Sequence, residues 1–131
     1  MNITLILQLL QTHIPNLLAV YAFGSRITGM ARADSDLDLA VLVAGYADTV
    51  VLFELAGELE DICGCPVDLL DLRAASTVMQ YQVITTGQLW WAADSQAALY
   101  ETFILNEKLR LDEARAGILA DIKQRGTVYG G

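Results

Sequence analysis

The chain has 131 residues, enough for one domain with a sizeable buried core and too few for a separate substrate domain. Its 16 acidic residues outnumber 8 basic ones and give a formal net charge of −8, which argues against a protein that grips a nucleic-acid backbone. The sequence has two cysteines, no secretory signal and no run of eighteen apolar residues. We therefore expect a reduced, cytoplasmic protein that does not span a membrane.

Periodic apolar spacing and turn residues divide the chain into alternating helices and strands. Apolar residues three and four apart predict helices, and short apolar runs that end at turn residues predict strands. In chain order we expect a helix at 3–13, a strand at 17–23, a short helix at 25–30, a turn at 34–35, a strand at 36–43, a helix from 48 to about 62, a strand at 66–72, a helix at 75–85, an edge strand at 89–92 and a helix from 94 or 95 to about 124.

These elements predict one domain over residues 1–131, with a core at about 15–92 and a long C-terminal helix at about 94–125. Strands that alternate with helices indicate an α/β or α+β fold, here a small mixed sheet of about four strands flanked by helices. We expect the helices to lie mainly on one face of the sheet. Gly117 is expected to break or loosen the long helix.

Two aspartates one residue apart begin the second predicted strand. Because successive side chains of a strand alternate between faces, Asp36 and Asp38 point to the same side. Like charges so placed repel, and one takes up a proton unless a cation is supplied. Mg²⁺ fits this pair, because it takes oxygen ligands and is commonly shared between carboxylates and substrate phosphates. The chain offers no nearby set of sulfur or imidazole ligands for zinc.

A third candidate carboxylate, Asp68, lies in the predicted strand 66–72. If that strand neighbours the second one, Asp68 can join a second metal ion and can take a proton from an attacking hydroxyl. Asp71, on the other side of the same strand, is the alternative.

The turn before these aspartates is suited to holding a phosphate. Gly24 lets the backbone approach a ligand closely, and Ser25 offers a hydroxyl and an amide at the start of a short helix. Arg26 and Arg32 are the only basic residues among the first 72, and both lie in the ten-residue spacer between Ser25 and Asp36. This placement favours a polyanionic ligand there.

The pattern Gly24-Ser25, ten residues, Asp36-X-Asp38 resembles the signature of the DNA polymerase β-like nucleotidyltransferase superfamily. The run at 23–41 resembles its minimal members, the MNT proteins of toxin–antitoxin pairs that are encoded with a HEPN-domain partner. The segment 67–73 resembles them too, so the resemblance spans most of residues 15–92.

The resemblance implies a minimal nucleotidyltransferase fold that uses ATP with Mg²⁺, two ions being expected, and transfers AMP to a hydroxyl. In such pairs the acceptor is a tyrosine of the HEPN toxin, an RNase that the modification silences, so a hetero-oligomer is expected. Gly24 and Ser25 are implied to hold phosphate, Asp36 and Asp38 to bind metal, and Asp68 to be third ligand and base.

Two other functions remain open on the sequence alone. The protein could neutralise a toxin by masking it, with nucleotide binding but without a need for transfer; the helix at 103–125 and Trp90-Trp91 are candidate contact surfaces. It could also be a small-molecule nucleotidyltransferase that a helical partner subunit completes.

Overall fold

The computed structural model of the protein describes residues 2–29 and 36–125. In chain order its elements are α1 (Ile3–His13), β1 (Leu17–Phe23), α2 (Ser25–Thr28), β2 (Leu37–Val43), α3 (Thr49–Cys63), β3 (Val67–Asp71), a 3₁₀ turn (Leu72–Ala74), α4 (Thr77–Thr86), β4 (Gln88–Ala92) and α5 (Gln96–Arg125). Every predicted helix and strand is present, with boundaries within two residues of those expected. The predicted turn at 34–35 lies outside the described residues.

Side-chain hydrogen bonds to backbone amides cap the starts of α3 and α4. The Asp48 carboxylate accepts hydrogen bonds from the amides of Val50 (2.8 Å) and Val51 (3.4 Å) and so begins α3. The Ser76 hydroxyl accepts one from the Met79 amide (3.2 Å) and begins α4. α3 therefore begins one residue after the expected position and α4 two residues after it.

The expected break at Gly117 was wrong, because α5 runs unbroken from Gln96 to Arg125. A glycine inside a helix costs about 1 kcal/mol relative to alanine. That cost is small beside the hydrogen bonding of a 30-residue helix, and the residues on either side of Gly117 include good helix formers such as alanine and leucine.

The four strands form one mixed sheet in the order β3-β2-β1-β4. β2 pairs in parallel with β3, and β1 pairs antiparallel with both β2 and β4. β3 and β4 are therefore the two edges. No helix within residues 2–29 and 36–125 is long and apolar enough to cross a membrane.

Helices cover both faces of the sheet, which corrects the expectation that they lie mainly on one. α1 and α3 pack on the face that carries Leu37, Leu39 and Val41, whereas α4 and α5 pack on the face that carries Ala40 and Leu42. The reason is the sequence of β2, which is apolar on both sides from Leu39 onward, so both sides must be removed from water. Asp38, within β2, lies on the Ala40 side.

Candidate active site

Strand register brings three separate parts of the chain to one place. Asp38 of β2 lies opposite Phe23 of β1 on one side and opposite Asp68 of β3 on the other. Because β1 ends at Phe23, the turn at Gly24 begins beside Asp38. Adjacent strands lie about 4.7 to 4.9 Å apart, so the turn, Asp38 and Asp68 form a continuous row across the sheet.

Gly24 is the point at which the turn meets the carboxylate. Its φ of +82° lies in the region that side chains disfavour, and it caps the short helix α2. A Cβ atom built on Gly24 would overlap Oδ2 of Asp38 and would lie 3.1 Å from its Cγ. Only glycine therefore fits here, and its absent side chain lets the turn backbone pack directly against Asp38.

The environment of Asp38 disfavours its negative charge. Partial burial is the largest cause, followed by the charges of Asp68 and Asp36, and together they raise the pKa of the Asp38 carboxyl. Asp36 and Asp68 are themselves exposed, which leaves their oxygens open to a ligand. A cation placed among these side chains would relieve the repulsion that raises this pKa.

Asp71 serves the fold instead of the site. Its two carboxylate oxygens accept hydrogen bonds from the backbone amides of Ala47 (2.9 Å) and Arg73 (3.1 Å), and the residue is buried. It thereby ties the loop after β2 to the end of β3. Because side chains alternate along β3, Asp71 faces away from Asp38, whereas Asp68 faces the same side as Asp38.

The donor set fits Mg²⁺ bound together with a nucleotide. Among residues 2–29 and 36–125, no three His, Cys, Asp or Glu side chains lie close enough together to hold a metal ion by themselves. Mg²⁺ is usually held by one or two carboxylates, waters and substrate phosphates, without a cage made entirely of protein. Asp36, Asp38 and Asp68 would supply the carboxylates, and the turn at Gly24, whose backbone packs against Asp38, would lie beside the bound phosphates.

The predicted phosphate-binding turn is only partly described. Ser25 begins α2, and the backbone of Arg26 lies within that helix. Arg32 lies outside the described residues. The roles assigned to Gly24, Ser25, Arg26, Asp36, Asp38 and Asp68 remain predictions, now with three strands that place Gly24, Asp38 and Asp68 together.

Sequence reasoning missed a groove of about 700 Å³ beside Asp68. It runs between α3 and the edge strand β3, with Phe53 and Gly57 on the helix side. The groove could not be foreseen without the strand order. One signal was present in the sequence, however, since Phe53 is a large apolar residue off the side of α3 that carries Leu55 and Leu59. The structure buries that side and leaves Phe53 81% exposed.

Comparisons with known proteins agree with this geometry. The family model described as "Polymerase beta, Nucleotidyltransferase" matches residues 5–96. The chain is 36% identical over 122 residues to protein adenylyltransferase MntA of Shewanella oneidensis, a match that covers 93% of this chain and 88% of that protein.

Two solved structures show that the similarity extends into the C-terminal helix. A crystal structure of a toxin–antitoxin with AMP-PNP has a TM-score of 0.82 and 36% identity, and the match covers 94% of this chain and 99% of that one. A structure of the tri-AMPylated Shewanella oneidensis HEPN toxin in complex with MNT antitoxin has a TM-score of 0.74 and 34% identity, and the match covers 93% of this chain and 96% of that one.

Proposed function

Because the chain belongs to the polymerase β nucleotidyltransferase family, we propose that it is a protein adenylyltransferase antitoxin. It transfers AMP from ATP to a tyrosine hydroxyl of a HEPN RNase toxin and thereby neutralises the toxin. Support comes from its 36% identity to an adenylyltransferase and from its similarity to an antitoxin solved with an AMPylated HEPN toxin. We place both partners in the cytoplasm, as a hetero-oligomer.

The observation that carries the proposal is the row made by Gly24, Asp38 and Asp68 across β1, β2 and β3. The turn at Gly24, which we assign to the phosphates, lies against the carboxylate of Asp38, whose pKa is raised, and the exposed carboxylate of Asp68 lies on the neighbouring strand β3. Phosphoryl and nucleotidyl transfer depends on positioning and on neutralising charge, and this row provides groups for both.

Nucleotide binding is assigned to the turn and the aspartate pair. Gly24, Ser25 and Arg26 would hold the triphosphate, while Asp36 and Asp38 would hold Mg²⁺ and Asp68 would complete a second metal site. Bound Mg²⁺ would neutralise the triphosphate and lower the pKa of the acceptor hydroxyl.

In the transfer step the tyrosine oxygen forms a bond to the α-phosphorus of ATP. The bond between that phosphorus and the bridging oxygen of the β-phosphate breaks, and pyrophosphate leaves. Asp68 accepts the proton of the tyrosine hydroxyl, because it is exposed and lies in register with Asp38. Tyrosine, whose ordinary pKa is about 10, needs such a base near neutral pH.

The test is co-expression with a HEPN partner protein, followed by intact-mass measurement of that partner. The wild type is expected to add one or more AMP groups, and Asp38→Asn is expected to add none. Asp61→Asn, which removes an exposed carboxylate from α3, is the matched control and should behave as wild type. An unmodified partner with the wild type, or a modified one with Asp38→Asn, would refute the proposal.

Complex formation is a second contribution to neutralisation that one feature favours. Leu99, Phe103 and Leu109 on α5 are each more than half exposed, which is typical of a protein-binding surface. Masking and modification are separated by Asp68→Asn. If this variant loses transfer but still restores growth to cells that express the toxin, masking is sufficient; if growth is lost, modification is required.

A further inference from the structure

The groove between α3 and β3 has the form of a site for an extended peptide. One wall is the α3 face with Thr49, Phe53, Ala56 and Gly57, and the floor is the outer edge of β3. The small residues Ala56 and Gly57 leave the space beside the strand open, and a Cβ atom on Gly57 would meet nothing within 4 Å. A neighbouring chain can therefore come close to the backbone of β3.

The backbone of β3 offers unpaired groups on this side. The Leu37 amide donates to the Pro66 carbonyl (2.9 Å), so the backbone groups of Pro66, and in alternation those of Asp68, point toward β2. The Val67 amide points away from β2 and donates to Glu60 Oε1 (3.2 Å). By the same alternation, the amide and carbonyl of Leu69 face the groove, as on any free sheet edge.

The groove is continuous with the proposed catalytic row, because Asp68 belongs to both. A strand added outside β3 would lie one strand spacing from Asp68 and would extend the row in the sequence Gly24, Asp38, Asp68, added strand. Its side chains would alternate between the face of Asp68 and the face of α3. A residue on the Asp68 face would project from the same face of the sheet as Asp38 and Asp68.

The chemistry of the lining specifies the segment. Phe53, Leu52 and Leu69 make the α3 side apolar, and the charged residues of the lining are Glu60, Asp68 and Asp71. No lysine or arginine is among the described residues that line it. The groove therefore favours an extended segment whose side chains toward α3 are apolar. Because the charged residues of the lining are all acidic, it also favours a segment with a net positive charge.

We propose that the acceptor tyrosine of the HEPN partner arrives on an extended segment that pairs with the outer edge of β3. The tyrosine takes the position on the Asp68 face, and the residues directly before and after it are apolar and contact Phe53 and Ala56. This inference rests on the proposed function, since it states how the substrate of that same site is held. Strand addition provides affinity through the backbone, and the apolar wall of α3 selects the residues on either side of the tyrosine.

The first test fills the groove. Gly57→Trp places a bulky side chain beside β3 at a position where its Cβ atom would meet nothing within 4 Å, and Gly57→Ala leaves the groove open as the matched control. We expect Gly57→Trp to lower kcat/KM for AMP transfer to the partner by at least about tenfold, mainly through KM. Affinity for ATP, measured by calorimetry, and the melting temperature should match those of Gly57→Ala.

The second test does not depend on chemistry. Amide hydrogen exchange is measured for the free protein and for its complex with the HEPN partner, in the presence of a non-hydrolysable ATP analogue. The Leu69 amide should exchange fast in the free protein and slow in the complex. The opposite edge, β4 (Gln88–Ala92), is the internal control and should not change.

The outcomes separate this inference from the proposed function. If the wild type modifies its partner, but Gly57→Trp transfers as fast as Gly57→Ala and Leu69 gains no protection, the docking mode is wrong and the function stands. If the wild type modifies no partner, the proposed function fails. Slower exchange of the Leu69 amide in the complex then shows by itself whether the partner binds at the outer edge of β3. Protection confined to β4 would also overturn the inference.

Discussion

Replacing Asp38 by asparagine is expected to abolish AMP transfer and, at the same time, to stabilise the free protein at neutral pH. The two effects have one cause. Partial burial and the charges of Asp68 and Asp36 disfavour ionised Asp38 in the folded chain. An amide of almost the same shape carries no charge, so it avoids this repulsion and also cannot act as a metal ligand of the same strength.

The part of the gain that comes from charge repulsion follows from the strand register. Asp38 and Asp68 are direct neighbours on β2 and β3, about 4.8 Å apart across the ladder. At that separation two unit charges repel by about 0.9 kcal/mol in water, and the water value applies because Asp68 is exposed and screened. For a domain of this length, about 1 kcal/mol corresponds to a rise in melting temperature of about 3 to 4 °C.

The pH dependence has a definite sign. The folded-state pKa of Asp38 is raised above its ordinary value of 3.8, so the folded protein holds this proton more tightly than the unfolded chain does. Ionised Asp38 therefore lowers the free energy of unfolding in full above its raised pKa, and this effect disappears as the pH falls below 3.8. The advantage of Asp38→Asn should follow the same course.

The assay is thermal unfolding of the free proteins at low salt, at pH 7 and at several acidic pH values. Asp61→Asn controls for the loss of one negative charge from an acidic protein, because Asp61 is exposed on α3. ATP with Mg²⁺ should raise the melting temperature of the wild type and of Asp61→Asn, but not that of Asp38→Asn. A variant that melts at or below the wild type at pH 7, or an advantage that persists at low pH, would refute the reasoning.

Three further substitutions test the supports of the site. Gly24→Ala should abolish ATP binding, measured by calorimetry, and should lower the free energy of unfolding by about 1 to 3 kcal/mol. The reason is that the added methyl group meets Asp38 at a backbone φ of +82°. An unchanged affinity for ATP would contradict this. Asp71→Ala should cost about 1 to 3 kcal/mol in urea unfolding by leaving two amides unpaired, and AMP transfer should persist below the lowered melting temperature. Gln80→Leu should be similarly destabilising, since the buried Gln80 amide donates to three backbone carbonyls at 3.0 to 3.2 Å; a neutral result would show that the carbonyls find other donors.

The local structure of this protein could be read from its sequence because the interactions that determine it are local. Apolar periodicity acts over a few residues, and the structure confirms the helices and strands that it predicted; the caps that the structure shows at Asp48 and Ser76 are equally local. The spacing of the carboxylates in β2 likewise follows from the alternation of side chains along a strand. The family resemblance, carried by the turn at Gly24 and these aspartates, is confirmed by the match over residues 5–96.

Tertiary packing decided everything that depends on which strands are neighbours. The sequence by itself named Asp68 and Asp71 as candidates for the third carboxylate, and it determined that they face opposite sides. Only the parallel pairing of β3 with β2 brought Asp68 next to Asp38 and left Asp71 to hold the loop after β2. Strand order arises from burying both faces of β2 under helices distant in sequence, so it depends on non-local packing that no short window of residues contains.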